Sequence, residues 1–310
     1  MTCTTESIEL VCQDGVSLFA EKYLRGPSIS DPSSIQHRIL CLHGWLDNHR
    51  SFCRLAPALM DDLEGGVELV ALDFPGHGRS SHKSLDGPTM LLMDYVYYVY
   101  DAIQQLKWDN DSVTVIGHSM GAAVGLMYSA AFPVSKLVLL DSLGPHPRPS
   151  KDVAKGLRKH IEARIRGKKP SSIYPSLEQA VETRCATAKA FPGNQYISQE
   201  AARDLVLGAG KPTDDGQWEF LHDQRVKWPS ILFTNFEQVE EMYQTIALTS
   251  TKTCLLLAKD GMPFEAAKVA RAKDLLKPVV CETVSGSHHN HLDPDTSGSV
   301  KDAIINFFRL

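Results

Sequence analysis

The chain has 310 residues, 43% of them hydrophobic and 22% charged, the balance of a soluble globular protein with a large buried core. Nothing in a net charge of -5 suggests a nucleic-acid partner, which would need a basic face. No apolar run reaches the roughly 18 residues of a spanning helix, so no transmembrane segment is expected.

In chain order, Ser7 to Val11 and Val16 to Tyr23 read as strands around the turn Asp14-Gly15. A Pro- and Ser-rich break, Gly26 to Gln36, precedes the apolar strand Arg38 to Leu42. Phe52 to Leu63 carries apolar residues at helical spacing, and Val67 to Leu72 is a strand again. Then come a helix over Thr89 to Leu106, a strand over Ser112 to Ile116, a small-residue helix over Ser119 to Ala131 and a buried strand, Lys136 to Leu140. This alternation predicts a mostly parallel sheet covered by helices on both faces, with an antiparallel edge from the opening hairpin.

The rhythm stops between about Pro145 and Leu248, where helical patterns appear and no convincing strand does. It resumes with a strand at Thr253 to Ala258, a helix near Phe264 to Leu276, a strand at Pro278 to Val284 and a last helix from Thr296 to Phe308. The expected division is a core of residues 1–144 and 249–310 with a helical cap, 145–248, inserted over the carboxyl edge of the sheet. Ligands of open α/β sheets bind at that edge. The basic run Arg158 to Lys169 inside the insert reads as an amphipathic helix with a solvated charged face, a membrane-surface or acidic-ligand role being the alternative.

Gly117-His118-Ser119-Met120-Gly121 matches G-x-S-x-G between a strand and a helix. That context makes Ser119 the candidate nucleophile, raised on a tight turn that needs glycine on either side. Acyl transfer also needs two amide donors for the oxyanion. Met120, just after the serine, supplies one, and His43-Gly44-Trp45 lies where the second belongs, with the amide of Trp45 as donor.

The run Ser287-His288-His289-Asn290-His291-Leu292-Asp293 follows the last strand, and His288 is the expected general base, with His289 and His291 as alternatives. Two carboxylates stand at strand ends to orient it. Asp260 is the expected acid, because the usual position follows the strand after the insert; Asp141 is the alternative. His289, His291 and Asp293 also have a metal-ligand-like spacing. No histidine follows the Asp, and the expectation is no metal and no cofactor.

Together, His43-Gly44-Trp45, Asp73-Phe74-Pro75-Gly76-His77-Gly78-Arg79-Ser80, the Ser119 pentapeptide and Gly286 to Asp293 resemble the α/β-hydrolase superfamily over nearly the whole chain. The insert segments Tyr174 to Ala180, Ile197 to Ala202 and Trp218 to Asp223, with the double histidine, are similar to the serine hydrolase-like protein family. The resemblance implies an α/β-hydrolase fold and a serine hydrolase acting on a small acyl substrate, a carboxylic ester or thioester. Carbon-carbon bond hydrolysis, lactone hydrolysis and a weakly active binding protein are the alternatives. It also aligns His288 with the catalytic histidine, whereas Ala258 and Gly261 depart from the G-x-x-D run that carries the acid in many relatives.

Seven cysteines, an odd number without a C-x-x-C pair, point to free thiols in a reducing compartment, the cytoplasm. The N-terminus lacks a basic stretch followed by an apolar one, so no signal peptide is expected. The ending Phe308-Arg309-Leu310 is a poor version of a peroxisomal address, since a bulky Phe replaces the small residue.

Overall fold

The computed structural model describes residues 3–26, 34–84, 90–167, 169–231 and 233–310. Most of the expected break after Gly26, the Thr89 start of the second predicted helix and Lys168 of the basic run lie outside these residues.

An eight-stranded sheet in the order β1-β2-β4-β3-β5-β6-β10-β11 forms the centre. Its strands are β1 (Cys3–Val11), β2 (Ser17–Arg25), β3 (Ile35–Leu42), β4 (Gly66–Leu72), β5 (Val113–His118), β6 (Lys136–Leu140), β10 (Lys252–Asp260) and β11 (Val280–Ser287). β1 pairs antiparallel with β2, and β2 with β4. The pairs from β4 through β3, β5, β6 and β10 to β11 are all parallel. This is the predicted mostly parallel sheet with its antiparallel edge.

The central strands read as nearly continuous apolar runs because both faces are covered. Leu40, Leu42, Val113, Val115, Leu137 and Leu139 face one layer, built from α2 (Asp94–Gln105), α3 (Met120–Ala131), α7 (Phe236–Ala247) and α8 (Ala266–Leu276). Their chain neighbours Ile39, Cys41, Ile116, Val138 and Leu140 face the other, built from α1 (Leu55–Asp62) and α9 (Ser297–Phe308). Each such side chain contributes about 2 kcal/mol when fully buried.

Between β6 and β10 lie α4 (Val153–Arg166), β7 (Ile173–Tyr174), α5 (Leu177–Lys189), α6 (Gln199–Ala209), β8 (Gly210–Pro212), β9 (Trp218–Phe220) and α7. The three short strands form a second sheet, β7-β9-β8, where the sequence reading expected none. Runs of two or three residues are too short to show a period of two, so nothing local marks them as strands. The α5–α6 pair closes a separate apolar cluster around Ala201, Leu205 and Trp218. By contrast, α7 sends Val239, Tyr243 and Ile246 into the core layer beside α3.

Candidate active site

The carboxyl ends of β3, β5, β6, β10 and β11 converge on one constellation. β5 ends at His118, α3 begins at Met120, and Ser119 joins them with φ 51° and ψ -110°. A non-glycine residue at positive φ is held there only when its surroundings over-determine it. The flanking glycines show how. A Cβ on Gly121 would lie 2.0 Å from the Leu42 carbonyl oxygen, and one on Gly117 would lie 2.5 Å from the Ala122 backbone. Helix α3 therefore presses directly onto the ends of β3 and β5 and forces the bend. Among the described residues Ser119 Oγ has no hydrogen-bond partner. In unliganded sites such contacts are often long and tighten in the substrate complex.

Met120 is the first residue of α3, so its N–H has no partner within the helix. Trp45 follows β3 on a loop pinned by Asp47 N–H donating to the Gly44 carbonyl at 3.1 Å. Its indole Nε1 donates to the Val226 carbonyl at 3.0 Å. Trp45 and Met120 line the same cleft, about 160 Å³ in volume, together with Leu92, His160 and Trp228. His43 is held as a neutral imidazole: Nε2 accepts from Phe74 N–H at 3.0 Å while Nδ1 donates to the Gly44 carbonyl at 2.7 Å.

His288 meets a carboxylate, and it is that of Asp141. Nδ1 lies 2.6 Å from Asp141 Oδ2, with the carboxylate almost fully buried. Asp141 also accepts from the backbone N–H groups of Ala258 at 3.0 Å and Met262 at 2.9 Å. This corrects the expectation for Asp260. That residue pairs with Ser287 across the β10–β11 ladder, and no hydrogen bond or ion pair joins it to His288 among the described residues. The physical reason is at Gly261, where a Cβ would sit 2.3 Å from Asp141 Oδ2. The space above the end of β10 is filled by the carboxylate reaching over from β6. Asp141 is itself at positive φ, 45°, with its N–H donating to Leu256 O at 2.8 Å across the β6–β10 pair.

Beneath His288 lies a layer of buried histidines that the sequence reading did not connect. His118 Nε2 lies 2.9 Å from the His288 carbonyl oxygen, which makes it the donor and holds the loop backbone. His289 Nε2 lies 3.0 Å from Asp47 Oδ2, and Arg184 of α5 reaches Asp47 Oδ1 at 2.8 Å. Burial pushes Asp47 upward, but His289 and Arg184 outweigh it and hold the carboxyl well below its ordinary range. Burial pushes His289 down to about 3, against the pull of Asp47. It lowers His118 and His291 as well. Asp47 and Arg184 stand 137 residues apart and belong to no motif, so no sequence signal pairs them.

The spacing His289-x-His291-x-Asp293 does not converge on a point. His291 Nε2 meets Ser51 Oγ at 2.9 Å, and Asp293 Oδ2 accepts from Ser198 N–H at 3.0 Å. Asp47, His118 and His289 do gather potential ligand atoms. There the guanidinium of Arg184 already supplies the positive charge that the buried carboxylate requires.

Residues 37–160 match the family model for the alpha/beta hydrolase fold. A serine hydrolase-like protein of Danio rerio is 34% identical over 291 residues, 89% of this chain and 81% of its own length. A probable serine hydrolase of Drosophila melanogaster is 30% identical over 87% of this chain and 80% of its own. Among solved structures, a hypothetical protein from Pseudomonas aeruginosa superposes with a TM-score of 0.81 at 32% identity, covering 99% of both chains. With the strand order, the strained serine and the histidine loop described above, these likenesses establish that the chain belongs to the serine hydrolase-like family of α/β hydrolases.

Proposed function

We propose that this hydrolase cleaves a carboxylic ester or thioester through an acyl-enzyme on Ser119. His288 takes the Ser119 proton as Oγ attacks the acyl carbon. The amides of Met120 and Trp45 receive the developing oxyanion. Asp141 holds Nδ1–H of His288, fixing the tautomer that leaves Nε2 free as base and offsetting the charge of the imidazolium. His288 then gives its proton to the leaving alcohol or thiol, and activates water to release the acid in the second half-reaction. Each step uses groups of the chain itself, with no metal or organic cofactor in the path.

The observation that carries this reading is the 2.6 Å contact between His288 Nδ1 and Asp141 Oδ2, with the His288 carbonyl held at 2.9 Å by His118, the residue before a serine at positive φ. A serine rather than a carboxylate at the elbow argues against alkyl-enzyme chemistry on halides or epoxides. The lining of the cleft supports an acyl substrate. Its Leu91 and Leu92 also wall a second hollow of about 200 Å³, together with Met127 and Phe233. Met120 and Met127 are seven residues apart on one face of α3, so this floor extends about 10 Å from the oxyanion donors.

The test is fluorophosphonate labelling combined with turnover of p-nitrophenyl esters. The expected result is labelling and ester hydrolysis in the native chain and neither in Ser119→Ala. Labelling without turnover across a broad panel of esters and thioesters would reject the acyl-hydrolase reading.

A further inference from the structure

The outward face of α4 is built against expectation. Only Gly156, His160 and Ala163 of this 14-residue helix are buried. Gly156 approaches Phe233 closely, since a Cβ there would lie 3.0 Å from its ring. His160 Nδ1 donates to the Pro229 carbonyl at 2.8 Å. The helix is thus held to the body by a narrow strip of Gly156, His160 and Ala163. Its larger apolar residues point away: Val153 is 59% exposed, Leu157 48%, Ile161 46% and Ile165 80%. A spacing of four places them in one ridge, roughly 18 Å long. Scattered exposed apolar residues need no explanation, but a continuous ridge marks an interaction surface.

The charges identify what it fits. In a chain of net charge -5, α4 carries Lys155, Arg158, Lys159, Arg164 and Arg166 against a single acid, Glu162. On a helical projection Arg158 and Arg164 flank the ridge on its two sides, and Lys155, Lys159 and Arg166 lie farther round the helix. An apolar ridge flanked by arginine, with further basic residues round the helix, is the pattern of a helix lying in the interface plane of an anionic membrane. The basic side chains meet phosphate and carboxylate headgroups while the ridge enters the acyl boundary. No helix of the described residues is long and apolar enough to cross a bilayer, so this contact is peripheral.

We propose that α4 docks the protein on an anionic lipid surface. The consequence for the reaction rests on the acyl-hydrolase reading. The buried His160 of the same helix lines the cleft with Trp45 and Met120, so docking brings that cleft to the lipid boundary, from which a poorly soluble acyl substrate would enter. The docking itself does not depend on that reading, and its test uses no substrate.

The experiment is co-sedimentation of the full chain with vesicles of phosphatidylcholine alone and of phosphatidylcholine mixed with phosphatidylserine. Binding to the mixed vesicles is expected, with at least tenfold less to the neutral ones, and with weakening at high salt. Leu157→Ser/Ile161→Ser and, separately, Arg158→Glu/Lys159→Glu should each reduce binding tenfold or more. Both variants should keep the native Tm and the native rate on a short soluble ester, because the altered side chains face outward. Failure to bind mixed vesicles, or binding that both variants retain, overturns the proposal. So does a concentration-dependent dimer that Leu157→Ser/Ile161→Ser dissociates, since the ridge would then belong to a second copy of this chain. Absence of ester turnover in the native chain would count against the acyl-hydrolase reading and not against docking.

Discussion

At the scale of single residues the informative position is Gly261. A side chain there would collide with the Asp141 carboxylate, since a Cβ would lie 2.3 Å from Oδ2. Asp141→Asn is therefore expected to lower kcat by roughly four orders of magnitude, since an amide favours the wrong imidazole tautomer. Asp260→Asn should stay within a few-fold of native. The reverse pattern in steady-state kinetics would return the role to Asp260. Gly261→Ala should lower both kcat and Tm, because its new methyl group collides with that carboxylate. Arg184→Gln removes the guanidinium from a buried charge and should destabilise the fold by about 3 kcal/mol. Urea unfolding measures this, and a change below about 0.5 kcal/mol would mean that His289 alone suffices for Asp47. EDTA should leave ester turnover unchanged; a loss restored by zinc would point instead to a cation at Asp47, His118 and His289.

At the scale of elements, α3 does two things at once. Its first turn bends the chain at Ser119, and its next two turns floor the cleft with Met120 and Met127. Met127→Trp is expected to cut kcat/KM for long p-nitrophenyl esters by tenfold or more while acetate and butyrate change less than twofold. A uniform loss over all chain lengths would show that acyl chains do not follow this floor. The strand-turn-helix unit was legible because glycine is required at fixed offsets from the serine, which is a local constraint. The β7-β9-β8 sheet and the outward turn of α4 were not. The apolar spacing in α4 was visible, but spacing alone does not say whether a ridge faces the body or the solvent.

At the scale of the whole molecule, five buried histidines have their proton affinity lowered by burial. His77 and His289 fall to about 3, and His43, His118 and His291 are shifted the same way. The unfolded chain protonates these groups as the pH falls through about 6.5, whereas in the native chain each stays neutral to a lower pH, His77 and His289 to about 3. Stability is therefore fully present above about 6.5 and is lost as pH falls from there toward 3, with a slope of about 1.4 kcal/mol per pH unit for each histidine kept neutral. Asp47, held low, adds a loss of the same sign below about 4. Tm should thus fall steadily between about pH 6.5 and 4.5; a flat Tm over that interval would contradict the neutral histidine layer. The sequence by itself determined the layered fold and the bend at Ser119, and it marked Trp45, Met120 and His288 for the roles proposed above, because each is written in short-range periodicity or in residues at fixed spacing. Only the tertiary structure decided which carboxylate serves that histidine, what neutralises Asp47 and where the ridge of α4 points. Each of those depends on side chains that meet across more than a hundred residues, or on which face of an element other parts of the chain cover, and neither leaves a local trace.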